Sequence, residues 1–121
     1  MTKILLVEDD SRIRKMLSLR LKMKGYEIEE AENGKLGMDA CTSGKYDLVL
    51  MDMHMPVMDG YTAATNLRQQ GYKGTIIAVT ASAMIEETSK AIGAGCNFFI
   101  SKPIGEDFEE KIQRVLDGGK P

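Results

Sequence analysis

Tyr46-Asp47-Leu48-Val49-Leu50-Met51-Asp52-Met53-His54-Met55-Pro56-Val57-Met58-Asp59-Gly60 is the stretch whose reading decides the fold. Leu48 to Met51 is an apolar run without a polar break, which fits a strand buried on both faces of a parallel sheet. It ends at the carboxylate of Asp52, and Pro56 and Asp59-Gly60 then punctuate a loop. In open α/β sheets ligands and chemistry gather outside the carboxyl ends of the strands, where this pattern puts Asp52. A lone aspartate there could simply cap a loop, so its meaning depends on what other strands bring beside it.

On the N-terminal side, Ile4-Leu5-Leu6-Val7 is a second unbroken apolar run, and it ends in Glu8, Asp9 and Asp10. After Ser11, the residues Ile13, Met16, Leu17 and Leu21 recur at helical spacing until Gly25 stops them. Glu27-Ile28-Glu29-Glu30-Ala31 is a weak strand, polar enough for a sheet edge. Asn33-Gly34 then opens a helix to about Ser43, broken by Gly44. On the C-terminal side a helix is predicted from about Asp59 to Gln70. Thr75-Ile76-Ile77-Ala78-Val79 forms a fourth strand ending at Thr80. A looser helix, about Ala83 to Ala94, closes at Gly95, and Asn97-Phe98-Phe99-Ile100 is a short fifth strand ending at Ser101-Lys102-Pro103. Phe108, Ile112, Val115 and Leu116 form the apolar stripe of the last helix, which Gly118-Gly119 ends.

Five strands alternating with five helices imply an α/β fold: a parallel sheet, right-handed crossovers and helices on both faces. The first, third and fourth strands are the most apolar and belong in the middle, with the second at an edge. The known doubly wound order 2-1-3-4-5 satisfies both placements. At 121 residues the chain is expected to be one domain, 1–121, and only Gly118 to Pro121 follow the last helix, so no effector domain is expected. A net charge of −2 gives no reason to expect direct nucleic-acid contact. No apolar run approaches membrane-spanning length and Met1 leads almost at once into a strand, so a cytoplasmic location is expected. Cys41 and Cys96 lack metal or redox spacing and are expected as buried thiols in reducing surroundings. The nine methionines are expected to be core packing.

At the carboxyl ends of the strands the sequence collects Glu8 and Asp9 from the first, Asp52 from the third, Thr80 from the fourth and Lys102 from the fifth. The expected strand order makes these four strands contiguous, so their ends converge on one cleft. Three carboxylates together repel and need cations nearby to stay ionised. Lys102 supplies one charge, and the remaining deficit with oxygen-only ligands suits Mg²⁺, which takes a few carboxylates and keeps several waters. Thr80 offers a hydroxyl donor and Lys102 a cation to a phosphoryl group held there, which makes Asp52 a nucleophile for phosphoryl transfer.

At these residues the chain resembles the receiver domain of two-component response regulators. The resemblance runs from Lys3-Ile4-Leu5-Leu6-Val7-Glu8-Asp9-Asp10, through Met51 to Gly60 and Val79-Thr80-Ala81, to Ser101-Lys102-Pro103. It implies that Asp52 is phosphorylated from a sensor histidine kinase or a histidine phosphotransfer protein. It also implies that Asp9, Asp52 and the backbone carbonyl of His54 ligate Mg²⁺ directly, with Glu8 acting through water and Mn²⁺ able to replace Mg²⁺. Thr80 and Lys102 match the pair that binds phosphoryl oxygens, Thr80 and Phe99 the switch pair, and Lys102-Pro103 a cis peptide. The ring of His54 is expected at the cleft mouth, modulating phosphoryl lifetime. Phe99 lacks a hydroxyl, so an inward move would gain no terminal hydrogen bond. Such a domain catalyses its own phosphoryl transfer and dephosphorylation without being a turnover enzyme. Met55 to Gly60 and Thr80-Ala81-Ser82-Ala83-Met84 resemble receivers of hybrid kinases in particular.

Three rival readings fit less well. A phosphatase of the haloacid dehalogenase type needs a second aspartate two residues after the nucleophile, where this chain has His54. A module that lost phosphorylation would not be expected to keep Glu8, Asp9, Asp52, Thr80 and Lys102 together. Flavin binding needs a phosphate-cradling loop after the first strand, and that loop is acidic here.

Overall fold

The computed structural model describes residues 1–81 and 84–121 and contains the ten expected elements. In chain order they are β1 (Lys3–Val7), α1 (Ser11–Met23), β2 (Glu27–Ala31), α2 (Gly34–Ser43), β3 (Leu48–Asp52), α3 (Gly60–Gln69), β4 (Ile76–Thr80), α4 (Ile85–Gly93), β5 (Phe98–Ser101) and α5 (Phe108–Leu116). All strand pairs are parallel and their order is β2-β1-β3-β4-β5. Burial explains that order: every residue of β3 and β4 is buried, whereas β2 leaves three glutamates exposed at the edge.

Alternation along the strands divides the core into two. Ile4, Leu6, Leu48, Leu50, Ile77, Val79 and Ile100 point to the face covered by α1 and α5, where Leu17, Leu21, Phe108 and Ile112 meet them. Leu5, Val7, Val49, Met51, Ile76 and Ala78 point to the face covered by α2, α3 and α4, with Ala63, Ala64, Leu67 and Ala91 against them. Cys41 and Cys96 lie unpaired in this second cluster, and burial pushes both thiols up to about 11, which leaves them inert at neutral pH.

Side chains cap the helices that leave the functional edge. Asp10 caps α1 by accepting from the N–H groups of Arg12 at 2.9 Å and Ile13 at 3.2 Å, so the third acid after β1 serves the helix and not the cleft. Asn33 caps α2 through Leu36 N–H at 2.9 Å, and Asp59 caps α3 through Thr62 N–H at 2.8 Å. At Gly60 a Cβ would collide with the backbone oxygen of Asp52, so only glycine lets α3 start this close to the strand end.

The sequence expectations need correction at several points. Met16 is 43% exposed and does not join the buried face of α1, which consists of Leu17, Ser18 and Leu21. One position, about 100° around the helix, separates it from Leu17. Met1, Met23 and Met84 are exposed too, so packing accounts for Met51, Met53 and Met55 but not for all nine methionines. Thr75 and Asn97 fall just outside their strands, and the fourth helix begins at Ile85. Its expected start at Ala83, with Ser82, lies outside the described residues.

Candidate functional site

Sheet register builds the site. Val7 pairs with Met51 and Asp52 pairs with Val79, so the next residues, Glu8 on one side and Thr80 on the other, stand level with or just beyond Asp52. Thr80 in turn pairs with Ser101, which puts Lys102 one step past the sheet edge. The main chain holds it there: Lys102 N–H donates to the Thr80 carbonyl at 2.6 Å, and Lys102-Pro103 is cis, as the resemblance implied.

Glu8, Asp9 and Asp52 offer carboxylate oxygens that all lie within 4.8 Å of one another. Glu8 and Asp52 are only 2% and 4% exposed, while Asp9 faces solvent. Lys102 joins the two buried acids, its Nζ 3.0 Å from Glu8 Oε1 and 3.4 Å from Asp52 Oδ2. Burial and the neighbouring Asp52 carboxyl push Glu8 above the usual carboxylate range, with Lys102 opposing. Burial works against the charge of Lys102, but Glu8 and Asp52 outweigh it and raise the ammonium above its ordinary value. Three acids against one ammonium leave negative charge in a pocket with little water around two of them. An all-oxygen, partly open donor set of this kind fits Mg²⁺.

Most of the expected residues therefore meet at one edge: Glu8, Asp9, Asp52 and Lys102 in contact, with fully buried Thr80 beside them on β4. Two stand apart. The His54 side chain is 58% exposed and lies toward Glu87 of α4, although its N–H approaches Asp52 Oδ1 at 3.4 Å. Phe99 is 40% exposed on β5. Sequence reasoning missed Arg14, whose guanidinium donates to the carbonyl of Glu8 at 2.7 Å and that of Asp9 at 3.4 Å, and to Glu30 Oε1 at 3.2 Å. It braces the acidic loop from α1. Its position four residues after the Asp10 cap was visible, but nothing in the sequence showed that it turns back over the strand.

A doubly wound parallel sheet with a buried aspartate at its central strand end, flanked by two acids and a lysine, defines an α/β domain with an acidic cleft able to hold a metal ion. The family model of the response regulator receiver domain matches residues 4–115. Among curated proteins, the transcriptional regulatory protein PcoR of Escherichia coli is 31% identical over 115 residues, 95% of this chain and 50% of that protein. Hybrid signal transduction histidine kinase G of Dictyostelium discoideum is 41% identical over 109 residues, 84% of this chain and 3% of that protein. The chain thus spans about half the length, or less, of these relatives. Among solved structures, the receiver domain of a sensor histidine kinase from Pseudomonas aeruginosa PAO1, with magnesium in its active-site cleft, is 31% identical with a TM-score of 0.85 over 97% of this chain and 95% of that one. Response regulator TrrA of Thermotoga maritima, in complex with Mg²⁺ and BeF, is 32% identical with a TM-score of 0.83 over 95% and 99%. The chain belongs to the response regulator receiver domain family.

Proposed function

We propose that Asp52 accepts the phosphoryl group and that the domain works as a phosphorelay switch and not as a turnover enzyme. The observation that carries this reading is Lys102 Nζ seated between Glu8 and Asp52 at the end of the central strand. A carboxylate oxygen of Asp52 attacks phosphorus, the bond from phosphorus to the donor nitrogen breaks, and the donor imidazole leaves with the bonding electron pair. Lys102 offsets charge on the phosphoryl oxygens, and the Thr80 hydroxyl donates to one of them. Glu8, Asp9, Asp52 and the His54 carbonyl would hold Mg²⁺, or Mn²⁺ in its place, and the ion would neutralise charge on the transferring group.

The donor in this reading is a sensor histidine kinase or a histidine phosphotransfer protein. Support comes from α1, which contains no acidic residue and exposes Met16, Leu19 and Met23 along one line that starts at Arg12 and has Lys15 and Lys22 beside it. That line continues into a groove formed by Ile13, Met16, Ala81, Lys102, Pro103 and Ile104, so an apolar, acid-bearing protein surface could rest beside the cleft. The slightly acidic domain supports a protein and not a nucleic acid as its own direct partner. No helix among the described residues is long and apolar enough to cross a membrane. The two unpaired buried cysteines support a reducing, cytoplasmic setting.

Intact-mass measurement with a small phosphodonor and Mg²⁺ tests the assignment. One added phosphoryl group is expected on the wild type and none on Asp52→Asn. A full-yield adduct on Asp52→Asn would place the acceptor elsewhere.

A further inference from the structure

One polar cluster lies outside the acceptor cleft and joins three elements. Glu87, in the first turns of α4, accepts a hydrogen bond from the Tyr61 hydroxyl of α3, and His54 Nε2 of the acceptor loop lies 3.5 Å from the same Glu87 Oε2. The imidazole meets the Tyr61 ring edge-on, with centroids 5.8 Å apart and planes at 75°. Lys90, one turn further along α4, sets its Nζ 4.2 Å from the centroid of that ring. Tyr61 itself is 7% exposed and rooted in the core.

Elsewhere α4 is held lightly. Within it only Thr88 and Ala91 are buried, and Ile85 and Ile92 are exposed. A helix with so little apolar anchorage depends on its polar ties to keep one position.

We propose that Tyr61, Glu87 and His54 form a latch that fastens α4 to the acceptor loop in the unphosphorylated domain, and that phosphorylation must open it. His54 follows Asp52 by two residues, so rearrangement of the loop around a phosphoryl group shifts the imidazole against Glu87. An interaction made in only one of two states biases the equilibrium toward that state by its own differential free energy. The latch therefore lowers the apparent affinity for a phosphoryl group or its mimic. Tyr61 and Glu87 act through the position of α4 and touch no reacting atom. The proposal rests on Asp52 being the acceptor.

Beryllofluoride with Mg²⁺ is the probe, titrated by amide NMR into the wild type, Tyr61→Phe, Glu87→Gln and the double variant. Tyr61→Phe keeps the buried ring, and Glu87→Gln keeps the side-chain shape. Each is expected to tighten apparent binding about two- to fivefold, the scale of one hydrogen bond, with no further gain in the double variant. Amide exchange in Ile85–Gly93 is expected to quicken in both single variants before beryllofluoride is added. Unchanged affinity in both variants, or weakened affinity, would overturn the latch. A wild type that shows no beryllofluoride response would instead remove the acceptor assignment on which the latch depends.

Discussion

Val57 has φ of 72°, the left-handed region, and it is the one non-glycine residue there among those described. Its β-branched side chain is 83% exposed, so packing does not repay the strain. The loop is held at both sides: Met58 N–H donates to Pro56 at 2.9 Å, Gly34 N–H to Met58 at 3.2 Å, and Gly60 N–H to Met53 at 3.0 Å. With Met55 buried at 9% exposure, these ties impose the conformation on whatever residue stands at 57. Asparagine tolerates that region, so Val57→Asn is expected to stabilise the domain by about 1 kcal/mol, read as a raised urea midpoint. An unchanged or lowered midpoint would show that the strain is relieved some other way. Turn chemistry favours glycine or asparagine at such a place, so a valine gave no warning of it. Glu8, Asp9, Asp52 and Lys102 were legible for the opposite reason. Each follows an apolar run, and strand ends in a parallel sheet converge by construction. Tyr61 and Glu87 meet across two helices and a loop, and no spacing in the chain encodes that meeting.

Among the elements, α1 and α5 show what periodicity could and could not supply. Phe108, Ile112 and Val115 recur at helical spacing, and all three are buried as expected. In α1 the same logic placed Met16 inside, whereas Ser18 takes an interior position because the buried face is the narrow strip beside the sheet. Between these helices Arg20 donates through Nε to Glu109 Oε2 at 2.8 Å and through Nη2 to both Glu109 Oε1 and the Gly105 carbonyl, a fork that fixes their relative position. The Arg20 hydrogen bond holds the Glu109 carboxyl below its usual range. A carboxyl lowered in the folded state contributes stability that is present above its unfolded pKa and is lost as pH falls through the folded one. Glu109→Gln is therefore expected to cost about 1 kcal/mol at pH 7, with the gap narrowing as pH falls below the ordinary carboxylate value of about 4.3 and vanishing only below the lowered value of the folded state. Urea melts of both proteins at pH 7 and pH 3 check this. A gap as large at pH 3 as at pH 7 would assign the effect to packing.

For the whole molecule, the proposed phosphorylation of Asp52 would have to carry a charge added at one sheet edge to a surface two strands away. A phosphoryl group adds about −1.5 to −2 charges next to Lys102, and the Thr80 hydroxyl can be drawn toward its oxygens. Thr80 is fully buried, and its main chain is already tied to β5 through the Lys102 N–H. A shift of its side chain opens space on the β4–β5 side, where Phe99 is the half-exposed ring able to fill it. Phe99 lies in a groove with Ile92, Phe98 and Lys111, so an inward move would change the face shared by α4, β5 and α5. Because the ring has no hydroxyl, its two positions differ by packing alone and should be closely balanced. A coupling of about 1–3 kcal/mol would then change partner affinity several-fold to a hundredfold. Thr80→Ala is expected to leave phosphorylation of Asp52 in place while severing it from Phe99. Amide NMR shifts with and without beryllofluoride check this: β5 shifts around Phe99 should move in the wild type and stay still in Thr80→Ala, whereas α4, tied to His54 through Glu87, should move in both. Equal β5 movement in both proteins would show that the signal reaches Phe99 without Thr80. A still β5 in the wild type would show that Phe99 does not take part in the change.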